Sequence, residues 1–81
     1  MKPYLLGIDI GTSACKIAIF DGDSGQVVAQ DNQGYSVYYP QDNWAEQDSN
    51  EWWAAVCKGI KNCLDESGLK GSDIVGIGVD G

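Results

Sequence analysis

Between Tyr4 and Asp21 two apolar runs are separated by one Gly-Thr-Ser break, and this arrangement restricts the fold more than anything else in the chain. Tyr4 to Ile10 is a mixed run of the kind found in a strand buried on both faces. Ala14 to Asp21 alternates, with Cys15, Ile17 and Ile19 on one side and Lys16, Ala18 and Phe20 on the other. Two antiparallel strands are expected, presenting Asp9 at the C-terminal tip of the first. An ionised carboxylate in a dry interior is strongly destabilised unless it is paired or bound to a metal, which favours a cleft position for Asp9. Gly11 removes the side chain where the chain reverses, allowing positive φ and close approach of the backbone to a ligand. Thr12 and Ser13 then offer hydroxyl and main-chain N–H donors to phosphate oxygens. A bound Mg²⁺, hard and oxygen-seeking, would keep Asp9 from repelling the same anion.

Two other readings of this stretch fit less well. A purely structural two-residue hairpin turn prefers Asn-Gly or Asp-Gly, and Thr-Ser is poor at that job. A P-loop needs a second Gly followed by Lys and Ser or Thr, then a helix, whereas Gly11 is followed by Thr-Ser and a second strand.

The remainder of the chain narrows the chemistry. With 81 residues there is room for at most one small domain, whose stability alone would be marginal. Twelve acidic side chains against five basic ones, with no Arg and no His, give a net charge of −7. That balance argues against a nucleic-acid or anionic-membrane surface and for a small-molecule partner. Without His, chemistry falls to carboxylates, Lys and hydroxyls. Cys15, Cys57 and Cys63 show no C-x-x-C spacing, so neither a disulfide framework nor a zinc site is indicated, and all three read as buried small hydrophobes. The apolar run before Asp9 is too short for a signal-peptide core or a membrane span, and a cytoplasmic location is expected.

Asp21-Gly22-Asp23-Ser24-Gly25 is a strong turn signal, after which Gln26 to about Gln30 resumes as a third strand. It resembles half a calcium loop, but Gln26 and Asn32 stand where an EF-hand needs Gly and Glu. From Asp31 to Ser49 the pattern loosens into a loop holding Tyr35, Tyr38, Tyr39 and Trp44, and a loop of this length is uncommon unless functional. A helix is expected from there, with Asp48 or Ser49 as N-cap and Glu51 in its first turn. Its apolar stripe reads Trp53, Val56, Cys57, Ile60, Cys63 and Leu64. It should stop near Ser67, with Gly68 as the left-handed residue and Leu69 as the accompanying hydrophobic contact. Ile74 to Val79 is a last strand, reached through the helix and hence parallel. Gly76-Ile77-Gly78-Val79-Asp80-Gly81 satisfies G-x-G-x-x-G, yet these glycines lie inside a strand and open no helix. They read instead as sites of close packing.

Three antiparallel strands with a phosphate-binding first hairpin, then a helix and a parallel strand, resemble the opening of the ribonuclease H-like, actin-like ATPase fold, an α/β architecture. Gly7-Ile8-Asp9-Ile10-Gly11-Thr12-Ser13 looks like the first phosphate motif of that superfamily. Trp44-Ala45-Glu46-Gln47-Asp48 followed by Trp52-Trp53 resembles the W-x-E-Q-D-P-x-x-W-W signature of the FGGY carbohydrate kinases, with Ser49 in place of the usual Pro.

The resemblance implies that residues 1–81 are the N-terminal portion of the first actin-like domain of a longer sugar kinase. ATP and Mg²⁺ are the implied cofactors, and a pentulose or related polyol, with a xylulokinase-like preference, is the implied acceptor. Asp9 would act on the metal and phosphates, Gly11, Thr12 and Ser13 would line the γ-phosphate, and Lys16 would stand near the transferring group. Lys16 also reads as a solvated strand lysine. Trp44, Glu46 and Asp80 would lie near the acceptor. The catalytic base and the adenosine site are expected beyond Gly81, and a homodimer is one assembly open to the intact protein. The competing reading is a nucleotide-dependent module of the actin and Hsp70 kind that phosphorylates no sugar.

Overall fold

The computed structural model describes residues 3–35 and 49–81. Four strands form one sheet: β1 (Tyr4–Ile10), β2 (Ala14–Asp21), β3 (Val27–Gly34) and β4 (Ile74–Asp80), in the order β3-β2-β1-β4. The first three are antiparallel neighbours, and β4 joins β1 in parallel after the crossover through α1 (Ser49–Ser67) and a short 3-10 turn, Gly71–Asp73. This is the predicted topology.

The turn between β2 and β3 is closed by its own side chains. Asp23 N–H donates to Asp21 Oδ1 at 2.9 Å, Gln26 N–H donates to Ser24 Oγ at 3.2 Å, and Gly25 takes φ +75°. The carboxylate that a calcium loop would commit to metal is here bound to backbone.

β3 runs to Gly34, four residues past the expected end. Its inward row is Ala29, Asp31 and Gln33, opposite Ile19, Ile17 and Cys15 of β2. Asp31 is half-buried, and its Oδ2 accepts hydrogen bonds from Gln33 Nε2 at 2.6 Å and from Asn62 Nδ2 of α1 at 3.0 Å. Those donors hold its carboxyl below the usual value of 3.8. Polar residues can thus occupy the helix-facing side of a strand when the helix brings a matching amide.

The core lies between α1 and the β2–β3 half of the sheet. Ile17, Ile19, Cys15 and Cys63 are its fully buried side chains, joined by Leu6, Ile8, Ala29, Ala55 and Val56. Burial, with the charges of Asp31 and Glu66 adding to it, pushes the Cys63 thiol up from 9.0 to about 11, and its Sγ sits 3.6 Å from the Ile17 carbonyl oxygen. The helix approaches β2 closely through Gly59, where an added Cβ would come within 2.5 Å of Ile17 Cγ1. Small residues therefore set the rotation of α1. Trp52, Ala55, Val56, Gly59, Ile60 and Cys63 turn inward, whereas Trp53 is 69% exposed and Cys57 is also exposed. Helical spacing alone puts both on the buried stripe, and the Gly59 contact turns that stripe away from them.

At the far end the expected stop is found. Gly68 has φ +75°, its N–H donates to the Leu64 carbonyl at 2.9 Å, and Leu69 packs against the core. Among the described residues no helix is long and apolar enough to cross a membrane.

Candidate functional site

Along β1 the alternating faces divide the work. Leu6 and Ile8 face the core, while Gly7 and Asp9 lie on the opposite face, beside Ala18 and Lys16 of β2 and Gly78 and Asp80 of β4. Asp9 is exposed, as the desolvation argument requires. It stands opposite Lys16 across the antiparallel pair and opposite Asp80 across the parallel pair. These three charges border an open cavity of about 420 Å³ floored by Gly7, Ala18, Phe20 and Gly78. Asp9 and Lys16 form no ion pair among the described residues, so the ammonium remains available to a ligand anion.

The turn that joins the two strands is Gly11-Thr12-Ser13. Gly11 N–H donates to the Ala14 carbonyl at 2.9 Å, which closes the reversal. The need for glycine here differs from the expectation: Gly11 does not have positive φ, which among the described glycines belongs to Gly25 and Gly68. A Cβ at Gly11 would instead meet the Ala14 carbonyl oxygen at 3.1 Å. The glycine serves the chain's close approach to itself. Thr12 and Ser13 are exposed, and among the described residues their N–H groups and hydroxyls have no hydrogen-bond partner. A second open space, about 610 Å³, adjoins this tip and is lined by Ile10, Gly11, Thr12, Trp52 and Gly81.

Sequence reasoning missed Tyr35 and Trp52. Tyr35 is buried beneath the turn, where its hydroxyl donates to the Gly11 carbonyl and lies 3.0 Å from that of Ala14. Its N–H donates to the Ser13 carbonyl at 3.0 Å. Trp52, in the first turn of α1, sets its ring 6.1 Å from that of Tyr35. The available signal was the alternation of β3, since Ala29, Asp31, Gln33 and Tyr35 form one odd-numbered series. Of the β4 glycines, Gly76 is closely packed, with an added Cβ 3.1 Å from Leu5 Cδ2. Gly78 has open space instead, and there the close-packing expectation fails. Trp44 and Glu46 lie outside the described residues.

The donor set suits Mg²⁺. That ion keeps several waters and takes one or two carboxylates beside substrate phosphates, and the paired Asp9 and Asp80 can supply them. Among the described residues no group of three or more Cys, Asp or Glu forms the fuller cage expected for a structural metal.

Residues 4–81 match the model of the FGGY family of carbohydrate kinases, N-terminal domain. Glycerol kinase 1 of Lactiplantibacillus plantarum is 41% identical over 76 residues, covering 94% of this chain and 15% of the relative. A glycerol kinase of Petrotoga mobilis is 39% identical over 79 residues, 98% of this chain and 16% of the relative. Among solved structures, a xylulose kinase from Brucella ovis superposes with TM-score 0.86 at 30% identity, covering 94% of this chain and 16% of that one. A gluconate kinase from Lactobacillus acidophilus gives 0.84 at 28% identity, covering 98% and 15%. The chain thus spans about 15% of the length of the relatives it matches. Its strands and helix have the α/β, actin-like ATPase arrangement of these kinases. Because the family model runs from the first residue of β1 through β4, and the solved kinases superpose over nearly the whole chain, this chain belongs to the FGGY family of carbohydrate kinases.

Proposed function

We propose that the chain supplies the γ-phosphate hairpin of an ATP-dependent kinase that phosphorylates a hydroxyl of a small polyol or sugar. The observation that carries this reading is the hairpin tip, where Thr12 and Ser13 present N–H groups with no partner among the described residues, between the strand that ends after Asp9 and the strand that brings Lys16 opposite it. In this role the Thr12 and Ser13 donors hold phosphate oxygens, and Lys16 offsets negative charge developing on the transferring group. Asp9, with Asp80 beside it, would hold Mg²⁺, which when bound neutralises phosphate charge. The residue that deprotonates the acceptor belongs to the protein outside residues 1–81. A cleft that excludes water needs more of the protein as well, so the 81 residues by themselves turn over no ATP. Membership in a carbohydrate kinase family leaves the non-kinase nucleotide module without support.

Two acceptors have support. Relatives about 40% identical are glycerol kinases, which favours glycerol. The Trp44-to-Asp48 signature and the superposed xylulose kinase favour the pentulose first expected. The test is to give the full-length protein MgATP with glycerol, xylulose and gluconate in parallel and to measure ADP release. Acceptor-dependent release with one of them is expected. ADP release indifferent to all three would overturn the kinase reading.

A further inference from the structure

One residue beneath the hairpin is bonded to it more extensively than packing requires. The turn from Gly11 to Ala14 has four carbonyl groups, and Tyr35 engages three of them: Gly11 and Ala14 through its hydroxyl, Ser13 through its N–H. Carbonyl oxygens repel an anion and N–H groups attract it, so the direction in which this turn faces decides whether it can hold phosphate. With the carbonyls of Gly11, Ser13 and Ala14 bound by Tyr35, the N–H groups of Thr12 and Ser13 are left without partners among the described residues.

We propose that Tyr35 is the positioning residue of the phosphate hairpin, its hydroxyl proton fixing the Gly11–Ala14 turn with carbonyls inward and the Thr12 and Ser13 amides toward the anion. This rests on the phosphate reading of the hairpin. The ring alone cannot do it: tilted against Trp52 and buried, it fills space, whereas the O–H meets the carbonyls at both ends of the turn and adds to the Gly11 N–H bond that closes it. The proton is also well kept. Burial raises the phenol above its usual 10.0, with the charges of Cys15 on β2 and Asp9 on β1 adding to the effect. The group facing it from α1, Trp52, is neutral.

Tyr35→Phe in the full-length protein keeps the ring and removes the proton. With the acceptor saturating, kcat/KM for MgATP should fall about tenfold, the loss corresponding to one hydrogen bond. KM for the acceptor should stay within about twofold, and Tm should move by only a few degrees. A purely structural Tyr35 would shift Tm and leave the split between the two substrates unchanged, overturning the proposal. A readout independent of turnover is the titration of the Thr12 and Ser13 amide NMR signals with Mg²⁺ and inorganic phosphate. Both should respond in the native protein, and the response should weaken about tenfold in Tyr35→Phe.

An undiminished response in Tyr35→Phe, with Asp9→Ala abolishing it, would sink the Tyr35 role alone. Silence in the native protein would sink the phosphate reading and this inference with it. If Tyr35→Phe does not fold, fluorotyrosine at position 35 preserves the shape while ionising at lower pH. Activity should then fall at a lower alkaline pH than in the native protein, and an unchanged pH profile would overturn the proposal.

Discussion

The two halves of the sheet are built to different ends. On β2 and β3 the inward row is covered by α1, its Asp31 accepts hydrogen bonds from Asn62 of the helix and from Gln33 beside it, and Ile17 and Ile19 are fully buried. On β1 and β4 the sheet carries Asp9 and Asp80, and the second half of β4 is open on both faces among the described residues. Ile77 and Val79, which share a face with Leu6 and Ile8, are 65% and 66% exposed, and Gly78 on the other face meets nothing. The packing against α1 lies mostly in the covered half and the proposed phosphate site borders the bare one, with Tyr35 proposed as the link between them. Substitutions in the two halves should therefore fail by different measurements.

The largest effect expected is at Asp9. Asp9→Ala in the full-length protein should lower turnover about a thousandfold, by analogy with the loss of other groups that stabilise transition-state charge. Its Tm should change by no more than an exposed site usually allows, about 0.5 kcal/mol of stability. Near-normal phosphorylation would erase the division of labour. In the covered half the two adjacent tryptophans should separate. Trp52→Ala is expected to cost about 2–3 kcal/mol, somewhat less than a fully buried Trp, and Trp53→Ala less than about 0.5 kcal/mol. Chemical denaturation measures both, and equal losses would contradict the rotation assigned to α1.

Gly59→Ala sharpens the same contrast because its sign is reversed from the ordinary one. In an exposed helix the change stabilises by about 1 kcal/mol. With Ile17 Cγ1 only 2.5 Å from the new methyl, it should instead destabilise by about 1–3 kcal/mol. A raised Tm would show that the helix has room to lift.

The effect of pH should be smaller and confined to the covered half. The Cys63 thiol is raised to about 11 in the folded chain against 9.0 when unfolded, so its contribution is complete below pH 9 and disappears as pH rises towards 11. Asp31 is lowered from 3.8, so its contribution is complete above that value and is lost as pH falls through the still lower folded pKa. Cys63→Ala and Asp31→Asn should each flatten one limb of a plot of stability against pH. Unchanged limbs would assign the titrations elsewhere. Finally, the isolated 81 residues should self-associate weakly through the edge and exposed side chains of β4, and Ile77→Lys should reduce this in sedimentation. A monomer at every concentration would show that the bare strand is not adhesive.

Much of this division can be read from residue order. Asp9 at the end of an apolar run, followed by Gly-Thr-Ser and an alternating strand, places the hairpin, and Gly68 marks the helix end. What could not be read depended on partners distant in the chain. Asp31 and Gln33 look like loop residues until Asn62 is known to meet the Asp31 carboxylate that Gln33 also bonds. Trp53 and Cys57 satisfy helical spacing as well as Trp52 does. The choice is made by Ala55 and Gly59, small residues whose contribution is closeness rather than hydrophobicity. Tyr35 was hidden for a related reason, because a lone tyrosine after a polar run reveals nothing of the carbonyls it meets.

The parallel pairing of β4 with β1 also has a consequence in time. The first three strands are successive neighbours joined by tight turns, so they can zip locally, whereas β4 must wait for the crossover and closes a loop spanning nearly the whole chain. We therefore expect the meander to form ahead of the rate-limiting step and β4 to dock after it, a hypothesis that high φ-values at Val75 or Val79 would refute. On that schedule Asp80 is the last charge to reach Asp9. The two carboxylates meet only after the barrier is crossed, so a cation held between them would leave the folding rate unchanged and slow the undocking of β4, by offsetting their repulsion.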